Sequence, residues 1–124
     1  MLPDIKNRDD IVKLVNAFYE KVKADPQLGP YFTEKHQVDW VKHLPVMYDF
    51  WDNILFYSGS YGGNPMAIHQ KLHKQHPMTR TDFERWLKLF TRTTDSLFEG
   101  NNAGLIKQRA KSIATVMQIK ILHP

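Results

Sequence analysis

Apolar residues recur along this chain at the spacing of helices that bury one face. In residues 9–23, Ile11, Leu14, Val15, Phe18, Tyr19 and Val22 follow the i, i+3, i+4, i+7 pattern, and Asn7, three residues before Asp10, is placed to cap the first turn. Asp25-Pro26 should stop that helix, and Leu28-Gly29-Pro30-Tyr31-Phe32 reads as a tight connection with an aromatic tip. A second helix is expected from residue 38 or 39 to about 57, with Trp40, His43, Leu44, Met47, Phe50, Trp51, Ile54 and Leu55 on one stripe. Pro45 falls in its second turn and removes a backbone donor, so the first turn should be displaced or tightened.

Residues 58–65 hold three glycines, an asparagine and a proline and read as a loop, while residues 66–76 have weak periodicity and room for one short helix at most. Thr79 followed by Asp82 forms an N-terminal box for a third long helix carrying Phe83, Trp86, Leu87, Phe90, Leu97 and Phe98, with Gly100-Asn101-Asn102 ending it. The last helix is expected over residues 103–121, with Leu105, Ile106, Ala110, Ile113, Met117 and Ile121 inward. No stretch shows the sustained alternation of a strand, so the fold class is all-α, four long helices with short connectors.

Composition narrows the possibilities. At 124 residues, 42% apolar and 24% charged, the chain fits one globular domain, 1–124. No apolar run approaches the roughly 20 residues of a membrane span and no secretory leader is evident, so a cytoplasmic protein with no membrane partner is expected. The absence of cysteine excludes disulfides, thiolate metal sites and cysteine nucleophiles. The net charge of +4 raises the question of nucleic acid. Cations are interspersed with acids, as in Glu20-Lys21, Lys23 with Asp25, and Glu84-Arg85, which reads as solvated helix faces rather than a polyanion groove.

Three features exceed what a plain helical bundle needs. Tyr19 and His43 sit in apolar stripes, so each must find a buried partner; both are ordinary core polar residues or, together, a polar spot inside an apolar pocket. The segment 66–76 holds His69, His73 and His76. It reads as a solvated His-rich loop, as a zinc site with His69 and His73 one turn apart but no carboxylate nearby, or as the source of one axial imidazole for haem iron. Fifteen aromatics, Trp51 and Phe98 among them, are dense for this length. They serve as core packing or as cover for a large apolar disc, with Phe32, Phe50, Phe83, Phe90 and the aliphatic Leu72 available to pack on it.

The order and spacing of several fragments resemble the truncated haemoglobins, most of all their group III. The fragments are Ala17-Phe18-Tyr19-Glu20-Lys21-Val22, Leu28-Gly29-Pro30-Tyr31-Phe32, Trp40 with His43-Leu44-Pro45, Phe50-Trp51, Asn64-Pro65-Met66-x-x-His69, and Phe83-x-x-Trp86-Leu87-x-Leu89-Phe90. The likeness spans nearly the whole chain. It implies a shortened globin in which two antiparallel helix pairs enclose haem b. It also implies that Tyr19 and His43 are distal residues, that Met47 faces the same pocket, that Trp86 lines the distal side, and that Phe32 packs on the porphyrin edge. His69 matches the proximal iron ligand, with Met66, Ile68 and Leu72 as its apolar neighbours, and His73 stands as the competing ligand because the stretch before Pro77 is long for the family. Arg80 and Lys74 are placed by location to meet the haem propionates. The glycine-glycine motifs of the other groups are not clearly present, as group III implies.

The resemblance therefore implies a haem protein whose iron, able to be five-coordinate, reversibly binds O2, NO or CO in a polar distal pocket. Buried donors aimed at a polarised ligand slow its release, which favours sensing, scavenging or redox chemistry over bulk O2 storage. An enzyme with peroxidase-like or nitric oxide dioxygenase turnover, drawing on a reductase, is the alternative reading. A haem-free helical interaction module is the remaining one.

Overall fold

The computed structural model describes residues 1–33, 39–59, 61–75 and 77–122. Among them it has no strand and six helices: α1 (Arg8–Ala24), α2 (Gly29–Thr33), α3 (Trp40–Phe56), α4 (Pro65–Gln75), α5 (Arg80–Leu97) and α6 (Asn101–Leu122). The four long helices are α1, α3, α5 and α6, as the apolar periodicity predicts.

The caps follow local chemistry. The Asn7 side chain accepts the Asp10 N–H at 3.2 Å, and Asp39 accepts from Lys42 at the start of α3. The position of residue 38 lies outside the described residues. The Asp39 carbonyl takes both the Lys42 N–H (3.1 Å) and the His43 N–H (2.8 Å), so the turn before Pro45 is tightened rather than displaced. Thr79 and Asp82 form the reciprocal capping box of α5.

Two expectations require correction. Residues 28–32 are not merely a connection, because residues 29–33 wind into α2. The Asp25 carboxylate accepts the N–H groups of Gln27 (3.1 Å) and Leu28 (2.9 Å), which nucleates the turn, and Pro30 is tolerated because a helix's first N–H groups lack partners anyway. A Cβ on Gly29 would lie 2.6 Å from the Lys23 carbonyl oxygen, so the close approach of α2 to the end of α1 requires glycine. The third long helix ends at Leu97, with Phe98 extended, and α6 begins two residues earlier than expected. The reason lies far away in sequence: the Asp4 carboxylate accepts the N–H groups of Asn102 (3.0 Å) and Ala103 (2.9 Å).

Long-range pairs set the helix directions. Arg8 near the start of α1 bonds Asp49 and Asp52 in the second half of α3, while Lys23 near its end lies over Trp40 at the start of α3. The pair is therefore antiparallel. In the same way, Asp95 late in α5 meets Lys107 early in α6, and Phe83 early in α5 packs on Met117 and Ile121 late in α6. The two pairs join through α1 on α5 and α3 on α6, with α4 packed on α6. Phe18, Leu14, Phe90 and Ile106, all fully buried, form the centre of the main core. The described helices include none long and apolar enough to cross a membrane.

Candidate functional site

Antiparallel α1 and α3 bring Tyr19 and His43 edge to face, with ring centroids 5.6 Å apart and planes at 78°. Trp40, one turn before His43, lies 5.4 Å from Tyr19, 5.5 Å from His43 and 5.6 Å from Phe32 of α2. Its face carries the Lys23 ammonium, 4.8 Å from the ring centroid. Trp40, one of the dense aromatics and part of the family likeness, is thus also a wall of this polar spot, and its place three residues before His43 on one stripe is the sequence signal for it.

Neither polar group has the buried partner expected of it. Tyr19 is 8% exposed, its hydroxyl has no hydrogen-bond partner among the described residues, and burial raises its pKa far above the ordinary 10.0, which keeps it a donor. The Nε2 of His43 is shielded from solvent and unpartnered among the described residues. Such an orphan costs about 1–3 kcal/mol, so its retention points to a polar group of a bound molecule as the missing partner. Burial, and after it the charge of His69, push the His43 pKa below 6.5, so the ring is neutral at neutral pH.

His69 sits on α4, which Pro65 opens and the Asn64 side chain caps by accepting the Ala67 N–H at 3.1 Å. Its Nδ1 lies 2.6 Å from the Pro65 carbonyl oxygen. A carbonyl only accepts, so in the neutral ring Nδ1 carries the proton, and the Nε2 lone pair, with no hydrogen-bond partner among the described residues, is available to a metal. His73 has the opposite arrangement: its Nδ1 accepts the Met78 N–H at 2.8 Å, so in the neutral ring the proton is on Nε2 and no lone pair remains free. His76 lies outside the described residues.

The remaining predicted residues divide between two apolar clusters. Trp86, half-buried, stacks on Phe90 (5.7 Å, 17°) and Trp51 (6.4 Å, 20°), while Phe18 meets its edge at 5.7 Å. Met47 packs against this main core, and Phe50 meets Trp51 and Tyr61 edge to face. Phe83 belongs to the second cluster, with Met117 and Ile121, which Met66 joins. Leu72 is half-buried. Ile68, expected to pack beside His69, instead is 61% exposed, because it follows Ala67 on the outward side of α4. Lys74 is exposed at the end of α4, and Arg80 pairs with Glu84 at 2.8 Å.

Among the described residues no group of three or more His, Asp or Glu converges on a metal position, so a zinc site on His69 and His73 lacks a ligand set. An imidazole on α4 whose Nδ1 is held by a carbonyl, and an unpartnered buried imidazole nitrogen among aromatic rings on α3, are instead donors that an iron porphyrin takes. The residues fit that group.

The comparisons agree with the architecture. Residues 4–120 match the family model of bacterial-like globins. The chain is 35% identical over 115 residues to the group 3 truncated hemoglobin ctb of Campylobacter jejuni, covering 90% of this chain and 88% of that protein. The crystal structure of group III truncated hemoglobin from Campylobacter jejuni superposes with a TM-score of 0.85 at 34% identity, covering 98% of this chain and 95% of that one. The paired helices and this likeness over nearly the full length lead to one assignment: the chain belongs to the bacterial-like, truncated globin family and is most like its group III.

Proposed function

We propose that the chain would hold haem b through the Nε2 of His69 and bind a diatomic gas with Tyr19, His43 and Trp86 as the residues that would contact it. The observation that carries this reading is the partnerless buried Nε2 of His43 among the rings of Tyr19 and Trp40, and His69 supports it with its Nδ1 held 2.6 Å from the Pro65 carbonyl oxygen. When bound, the haem supplies an iron whose open position accepts O2, NO or CO. The protein's residues supply the rest. The Tyr19 hydroxyl and the Trp86 indole N–H would donate toward a polarised gas, and the His43 Nε2 would gain there the partner it lacks. Phe32, Trp40 and Phe50 exclude water, which strengthens each of these donors. Lys74, exposed at the end of α4, suits a propionate better than Arg80, whose guanidinium is engaged with Glu84.

Two or three donors on one small ligand favour slow release, and so a role in sensing, scavenging or redox chemistry in a cytoplasmic setting. Titration of the pure protein with haem tests the reading. A one-to-one end point with a Soret band characteristic of axial imidazole is expected, and absence of any band would leave a haem-free helical module. A second reading, peroxidase-like or nitric oxide dioxygenase turnover, is favoured by the neutral, unpartnered His43 as a general base. Steady-state turnover with a reductase present separates it from simple binding.

A further inference from the structure

The interspersing of acids with cations described above stops in two stretches. Residues 53–81 and 100–124 contain seven of the seventeen Lys and Arg and none of the thirteen Asp and Glu. The fold brings these stretches together, because α4 lies in the first, α6 fills most of the second, and the two helices pack on each other. Met66 of α4 and Ile113 of α6 both join the cluster of Met117 and Ile121. Arg80 and Lys107 are paired with Glu84 and Asp95, so the uncompensated positive charge of these stretches rests on α4 and on α6 beyond Lys107.

On α4 the inward stripe is Met66, His69 and His73, which leaves Lys71 exposed and Ile68 61% exposed on the other side. On α6, Val116 and Lys120 follow Ile113 by three and seven residues and so share the edge that Ile113 directs toward α4's cluster. Val116 is 46% exposed and Lys120 is exposed. Lys71 and Lys120 have no ion-pair partner among the described residues. Arg109, one turn before Ile113, bonds the neutral hydroxyl of Tyr57 at 3.3 Å and has no ion-pair partner among the described residues. Lysines without acids, interleaved with exposed aliphatics, make a surface suited to a protein of opposite charge. The cations are too few to track a phosphate backbone.

We propose that the outward side of α4, with the adjoining edge of α6, docks an acidic protein that donates single electrons. This rests on the haem reading above. His69 belongs to α4 itself, and a helix with its side chains is about 10–12 Å across, so a partner on the outward side comes within one helix width of the imidazole. One electron passes from the partner's centre, which is oxidised, to ferric haem, which is reduced to ferrous. No bond forms or breaks and no proton moves.

The test uses the haem-reconstituted full chain and reduced flavodoxin, an acidic one-electron carrier, as the probe. K71E/K120E is compared with K21E/K88E, which changes net charge equally at exposed lysines of α1 and α5. The second-order rate of ferric-to-ferrous conversion at low salt should fall about tenfold or more in K71E/K120E and about twofold at most in K21E/K88E, converging as salt rises. Binding isotherms of oxidised flavodoxin should weaken in parallel, while reduction by dithionite stays the same in all three proteins. Equal loss in both variants, or loss in neither, would overturn the proposal. So would binding to phosphatidylglycerol vesicles that K71E/K120E abolishes while flavodoxin binding is untouched, since the face would then be a membrane surface. A chain that takes up no haem overturns the underlying reading and shows no iron spectrum in any variant. Failure of docking alone leaves that spectrum intact.

Discussion

The Nδ1 of His69 lies 2.6 Å from the carbonyl oxygen of Pro65, one turn earlier on α4. That contact fixes both the tautomer and the direction of the ring, whereas the ring of His73 is occupied in holding the Met78 N–H. His69→Ala should therefore abolish the imidazole-type ferrous spectrum and most haem retention, with added imidazole partly restoring both. His73→Ala should leave the iron spectrum nearly unchanged and lower thermal stability by about 1 kcal/mol, through the lost hydrogen bond. An unchanged spectrum in His69→Ala and a lost one in His73→Ala would transfer the proximal role.

Tyr19→Phe should raise the O2 dissociation rate, because it removes a hydroxyl kept protonated by burial while preserving the ring that packs on Phe18, Trp40 and His43. A hydrogen bond to a charged acceptor contributes about 1.5–3 kcal/mol, so about tenfold or more is expected. Carbon monoxide, less polarised, should respond less. Equal changes for both gases, measured by stopped-flow replacement, would assign Tyr19 a steric role.

Trp86→Phe should likewise speed O2 release, with little loss of stability, since phenylalanine can keep aromatic contact with Trp51 and Phe90, which also stack directly on each other. Two donors on one ligand are coupled, so the double variant with Tyr19→Phe should depart from additivity. Strict additivity of the two effects on the dissociation rate would mean that only one of the side chains reaches the ligand.

Acid sensitivity should trace in part to Asp25. Burial disfavours its charge, but the Leu28 N–H, the Arg85 guanidinium and the Gln27 N–H outweigh burial and hold its pKa below 3.8. With the folded value below the unfolded one, the unfolded chain takes the proton first as pH falls. The stabilisation is then full above the ordinary carboxylate range and is lost on descending through it. Asp25→Asn should lower Tm at about pH 7, by a deficit of about 1–3 kcal/mol, and the gap to the parent should close toward about pH 3. A gap constant with pH would show that the loss is one of shape and not of charge.

Much of this molecule was legible in the chain because its determinants are local. The stripe from Ile11 to Val22, the Asn7 cap, the Thr79 and Asp82 box and the stop at Asp25-Pro26 each act within a turn or two of themselves, so periodicity and capping chemistry located the long helices. Fragment order led to the globin family, and the inward stripes singled out Tyr19 and His43 before any contact was known. What the chain could not disclose depends on groups distant in sequence. The start of α6 is set by Asp4, about a hundred residues away, whose carboxylate fills the N–H groups of Asn102 and Ala103. The different surroundings of His69 and His73, one Nδ1 meeting a carbonyl and the other an N–H, arise only when α4 and the turn at Met78 are in place. The polar spot itself exists only because antiparallel packing of α1 on α3 sets Tyr19 against His43 and Trp40. A helix face records which side chains go inward, but not which of them meet; that is decided by crossing geometry, which no single segment carries.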